Sequence, residues 1–206
     1  MALVATIADL ALVFMASHDL AIGLLWPHNW PIVLQATAIL VIAELPRYGL
    51  HRLLHGKAGL WRFHTIHHAP DRLYALNVAR FHPGEKAAQW LVDVLPFVLL
   101  GVAGEPLALV FVFYAVHGFA QHANWSVRLG WFNWLVAGPE LHRWYHAIDA
   151  PDGGVNFGNN LIVWDILFGT RFLPAGSNVT EVGMTGQIIP KGLLGQWLYP
   201  FRRSAP

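Results

Sequence analysis

The sequence predicts an all-α fold: a multi-pass membrane bundle of about four hydrophobic helices, with a histidine-rich helical cap on its cytoplasmic side. Three observations predict it. Apolar residues make up 55% of the 206 positions and charged residues only 12%, about half the roughly 25% charged share of an average globular chain. The apolar residues fall in long runs within the first 123 positions. Histidines, twelve in all, gather beyond the ends of those runs. The formal net charge is +1, so nothing points to nucleic acid. The absence of cysteine excludes disulfides, thiolate metal sites and a cysteine nucleophile.

Taken in order, the elements make one domain over residues 1–206. Residues 1–50 hold the first two membrane helices. The run at 2–26 is long enough to span and is broken only by Asp9, His18 and Asp19. No basic residue precedes it and no cleavage site follows, so it reads as a retained segment. A second run covers 30–50, with Glu44 and Pro46 near its end. Residues 51–86 carry the first histidine boxes. Residues 87–123 read as a membrane hairpin, about 87–102 and 106–123, interrupted at Gly104, Glu105 and Pro106. Residues 124–206 form the cap and tail. Trp125, Trp131, Trp134 and Trp144 suit a membrane–water boundary or plain packing. The tail Lys191–Arg203 suits a short segment lying on an anionic leaflet. Every Lys and Arg lies between Arg47 and Lys86 or after Asn124. The positive-inside rule therefore places both segments, and every histidine box, in the cytoplasm.

The chemistry sits in the histidines. His51 and His55 are four apart, and His64, His67 and His68 stand at i, i+3 and i+4. Each set shares one helical face. His117 and His122 follow at the inner end of the last hydrophobic helix, then His142 and His146, again four apart. Nine imidazoles are too many for one four-ligand ion and suit two metals held close together. Imidazole accepts iron, zinc, copper or nickel, so residue type alone does not choose. Beside a bilayer, a pair of irons can activate dioxygen against a lipid C–H bond, which redox-silent zinc cannot. Glu44 is the only acid in the second hydrophobic run, and no box contains a glutamate. The site is therefore nitrogen-rich.

These residues carry a resemblance. HRLLH at 51–55, WRFHTIHH at 61–68, LNVARFHP at 76–83, QHANW at 121–125, ELHRWYH at 140–146 and NFGNNLIVWDILFGT at 156–170 together resemble the fatty acid hydroxylase superfamily of sterol desaturase-like membrane di-iron oxygenases. The resemblance implies two iron ions, O2-dependent hydroxylation or desaturation of a sterol, fatty acyl or related lipid drawn from the bilayer, and electrons from a separate donor. It implies His51, His55, His64, His67, His68, His117, His122, His142 and His146 as metal ligands. The last box departs from the family's HxxHH: Tyr145 replaces its penultimate histidine. A phenol there can ligate iron as phenolate, leave a position open or point away. His82 is expected to be structural or to support a ligand, and Asn156 to fix the turn after the last box. Asp165 and Arg171 are expected to pair or cap, and Asp149, Asp152 and Glu140 are candidates to orient ligating imidazoles. The competing readings are a membrane metal-binding or transport protein, and a catalytically weakened member of the same family.

Overall fold

A computed structural model describes residues 26–151, 153–186 and 189–202, with residues 10, 13, 14, 17 and 18. The expected helix over 2–26 thus lies almost wholly outside the described residues. The rest is mostly helical. Among the described residues there is no strand, only isolated bridges between Val136 and Leu161 and between Ala147 and Val182.

Helix α1, Ile32–Gly56, runs 25 residues. It is the one described helix long and apolar enough to cross a membrane. Its Ala36, Ile39 and Ala43 pack against Val94, Phe97 and Val98 of α3, Pro83–Leu99, and Leu107 and Val110 of α4, Gly104–His122. The opposite faces stay exposed: Val33, Leu34, Val41 and Ile42 on α1, Leu91 and Leu95 on α3, Val112 and Val116 on α4.

The hairpin α3–α4 begins earlier than the sequence suggests. Pro83 occupies the first turn of α3, where no N–H is required, and the Nδ1 of His82 accepts from the backbone N–H of Gly84 at 2.9 Å. Gly101, at φ 78, makes the turn. Gly104, Glu105 and Pro106, expected to interrupt, instead form the first turn of α4, the place in a helix that tolerates proline.

Lys57 (φ −122, ψ 113) breaks α1 from α2, Ala58–His68. That reversal sets the faces of His64, His67 and His68 against His51 and His55. The cap contributes α5, Pro139–Tyr145, and α6, Val163–Leu167. The tail contributes α7, Leu193–Leu198. Arg62 of α2 holds the tail by donating to the carbonyls of Tyr199, at 3.1 Å, and Arg202. Leu193, Leu194 and Leu198 face outward. Trp125, Trp131 and Trp134 are exposed, whereas Trp144 is buried edge-on against Phe172.

Two buried carboxylates tie the 156–161 loop in place. Glu44 accepts from the backbone N–H and side-chain amide of Asn160, the latter at 2.6 Å, and from the N–H of Leu161 at 3.1 Å. Asp165 accepts from the N–H groups of Phe157 and Gly158 and from the hydroxyl of Thr170, each at 2.7 Å. Asp165 therefore caps the loop and makes no side-chain pair with Arg171, whose guanidinium lies over Trp134. Asn156 fixes the turn as expected. It adopts φ 53, which asparagine tolerates, donates to the carbonyls of Leu141 and Phe172, and accepts from the Phe172 N–H. An Asp165→Ala chain is expected to lose about 3 kcal/mol, because two buried N–H groups lose their acceptor at roughly 1–3 kcal/mol each. Denaturant unfolding in detergent measures it. A loss below about 0.5 kcal/mol would show that the loop holds without the carboxylate.

Candidate metal centre

Eight of the nine proposed imidazoles meet in one buried centre, in two groups. The all-histidine group contains His67 from α2, His122 at the last turn of α4, His142 from α5 and His146 just beyond it. All four are buried, and their ligand nitrogens lie within 4.8 Å of one another. The Nε2 of His122 is 2.9 Å from that of His142 and 3.3 Å from that of His67, and the Nε2 atoms of His142 and His146 are 3.2 Å apart.

The second group contains His51 and His55 of α1 with His64, their nitrogens again within 4.8 Å. At its middle stands the hydroxyl of Tyr145. It lies 2.5 Å from Nε2 of His51, 2.6 Å from His68 and 2.9 Å from His55, and it also contacts Nε2 of His64. His68 thereby joins this group. The Tyr145 ring is buried and stacks on His142.

Partners on the far side of the rings fix which nitrogen points inward. The Nδ1 of His64 donates to the Glu85 carboxylate at 2.7 Å, and Gln89 donates to the same oxygen. The Nδ1 of His51 donates to the Phe157 carbonyl at 2.7 Å. The Nδ1 of His122 donates to the Gly118 carbonyl at 2.8 Å. In each case Nε2 keeps its lone pair for the centre. The orienting carboxylate is thus Glu85, which sequence reasoning missed. Its only signal was a buried-looking acid in the first turn of an apolar helix. Glu140 instead accepts from Leu129 and Asn133, Asp149 is outside the buried set, and Asp152 lies outside the described residues. His117 is not brought to either group: its Nδ1 lies 3.1 Å from Asn160 Oδ1 and its ring stacks on Phe113. His82 is structural, capping α3 and donating from Nε2 to the Trp197 carbonyl at 3.0 Å.

The all-histidine group fits a metal. Four imidazole nitrogens converge on one another, and the buried Nδ1 of His67 has no partner among the described residues. The donors of the second group are of the right type, but the phenol oxygen stands where they converge, so the group as built does not take an ion.

A cavity of about 440 Å³ opens on this centre between α1, α3 and α4. Leu50, Leu54, Trp90, Phe111 and Phe119 wall it, and His51, His64, His67, His122 and His142 line its end.

Burial holds His67, His68, His142 and His146 well below the usual 6.5, with neighbouring imidazoles adding to the effect. They stay neutral in the folded chain, as ligands must. An unfolded chain binds protons below about 6.5 that the folded chain refuses. Their contribution to stability is therefore present above that pH and lost as pH falls. The metal-free protein is expected to melt at steadily lower temperature from pH 7 down to pH 5, with more than one proton taken up on unfolding. A flat profile would place these rings in water.

Comparisons with known proteins show the family. The family model described as fatty acid hydroxylase matches residues 36–170. The chain is 37% identical over 201 residues to the ornithine lipid hydroxylase OlsE of Rhizobium tropici, covering 98% of this chain and 58% of that protein. It is 26% identical over 158 residues to the alkylglycerol monooxygenase of Danio rerio, covering 77% and 34%. It is 28% identical over 134 residues to the beta-carotene hydroxylase of a Paracoccus strain, covering 59% and 78%. The chain spans little more than half the length of the first of these and about a third of the second. No solved structure matches. With two thirds of its length inside the family model and its histidines drawn into one buried centre, the chain belongs to the fatty acid hydroxylase family.

Proposed function

We propose that the chain carries the metal centre of an O2-dependent lipid hydroxylase embedded in a membrane. The observation that carries the reading is the largely apolar cavity that ends on the imidazoles of the metal centre. An alkyl chain fits such walls, and its end would lie against the metal ligands. The relatives named above act, by their names, on ornithine lipid, alkylglycerol and beta-carotene, so a hydrocarbon-bearing lipid is the substrate class. The net reaction takes a C–H bond, O2, two electrons and two protons to an alcohol and water.

Bound iron would supply the redox chemistry that activates O2. His67, His122, His142 and His146 would hold it. Two irons would require both groups, and the second is filled at its centre by Tyr145, so iron in the all-histidine group is what is proposed. The protein's own work is binding and placement. Leu50, Leu54 and Phe119 exclude water and align the chain, and Glu85 and the Gly118 and Phe157 carbonyls hold the rings in register. The residues given hold no dinucleotide-binding fingerprint, and a reductase or electron carrier is the proposed source of the electrons.

Exposed apolar faces on α1, α3 and α4 support a multi-pass arrangement, since such area is costly in water. The buried Glu44 and the Arg47–Asp93 ion pair face the bundle interior, as charged residues in spans do. With the basic residues placed as they are, the metal centre faces the cytoplasm. The transport reading predicts ionisable groups strung along a path. Here the histidines close on themselves.

Purified chain loaded with iron and given reductant, lipid extract and isotopically labelled O2 is expected to yield a lipid alcohol carrying the label. His146→Ala is expected to lower the rate by at least about 100-fold, beyond the 10–100-fold seen for orienting residues. An alcohol whose oxygen comes from water would overturn the proposal.

A further inference from the structure

We propose that Tyr145 is a built-in plug: its hydroxyl takes the place of the second metal ion, so this chain holds one ion where its fold offers two positions. The inference rests on the metal-binding part of the function proposed above and goes beyond it in fixing the number and place of the ions.

The geometry is that of an occupant. Four Nε2 atoms surround the phenol oxygen, those of His51, His68 and His55 at 2.5, 2.6 and 2.9 Å, with that of His64 also in contact. Metal–imidazole bonds run about 2.0–2.1 Å for zinc. The oxygen therefore lies where an ion bound by the same four nitrogens would lie. A ligand must stand a bond length away from its ion. A phenolate at this point has no ion to stand beside unless the side chain withdraws. The ring has little freedom to do so, being buried and packed between His142, His68 and His51.

The hydrogen-bond inventory closes without a metal. A phenol offers one proton and two lone pairs. His51 and His64 both present lone pairs, because their Nδ1 protons are given to the Phe157 carbonyl and to Glu85. Their Nε2 atoms are 3.2 Å apart, close enough to share the phenolic proton. His55 and His68 then donate from Nε2 to the two oxygen lone pairs. One hydroxyl thus meets all four imidazoles, its single proton shared between His51 and His64. An imidazole at position 145 would stop short of the centre, because a histidine reaches less far from the backbone than a tyrosine does. It would be a ligand beside the second ion.

The test counts metal per chain by mass spectrometry of dialysed, detergent-purified protein loaded with ferrous iron or cobalt. Wild type is expected to hold one ion and Tyr145→His two, a twofold rise. Tyr145→Phe, which keeps the ring in place, is expected to hold one. His51→Ala combined with Tyr145→His is expected to cancel the rise. Thermal melts of the four proteins verify that each is folded, and cobalt absorption reports the added ion independently of turnover. Two ions in wild type, or no rise in Tyr145→His, would overturn the plug. So would a phenolate-to-iron charge-transfer band in wild type that Tyr145→Phe abolishes, because it would make the phenol a ligand. Failure of the hydroxylase reading is separable: it shows as missing label in the lipid product while the ion count still rises in Tyr145→His.

Discussion

Eight imidazoles drawn together, six of them buried, are the constraint from which much of this structure follows. A ring nitrogen removed from water must donate, accept or bind an ion, and two lone pairs cannot face each other without something positive between them. Each ring must therefore hold one tautomer. Glu85 does this for His64, the Phe157 carbonyl for His51 and the Gly118 carbonyl for His122. Two of the three are backbone groups, so the positions of main chain segments and the orientation of ligands are a single problem.

That is why two acids deep in the fold matter to a centre they do not touch. Glu44, on the apolar helix α1, and Asp165, on α6, grip the same short loop from opposite sides. The loop delivers the Phe157 carbonyl to His51. Gly158 within it has no room for a side chain: an added Cβ would sit 2.2 Å from the Leu161 carbonyl oxygen and 2.8 Å from the Asp165 carboxylate. Burial of Glu44 costs desolvation that three N–H groups offset. Helix α1 is thereby locked to the 156–161 loop.

Much of the centre was legible in the sequence, for a local reason. Residues three and four apart share a helical face, so His51 with His55, His64 with His67 and His68, and His142 with His146 announced that they would meet, but not that His67 would part from His64 and His68 to join His122, His142 and His146. His117 shows where that logic ends. It is five residues from His122, which turns its ring to another side of α4, and it meets Asn160 instead. Glu85 was out of reach because its partnership with His64 spans 21 positions and no spacing rule covers such a pair. The hairpin boundaries shifted by a few residues because Gly104 and Glu105 join Pro106 in the first turn of α4 and Pro83 opens α3 early. The departure at Tyr145 was visible as a letter, but its meaning depends on where a longer side chain ends, which only coordinates give.

The order in which the chain is made has its own consequence for this centre. The α1 histidines leave the ribosome long before their last neighbour: Tyr145 lies 94 positions after His51, and the Phe157 carbonyl 106. Through that interval the early boxes lack the hydroxyl that meets His51, His55, His64 and His68. The second group is complete only when α5 has packed against α1 and α2, which makes its closure a late event in folding.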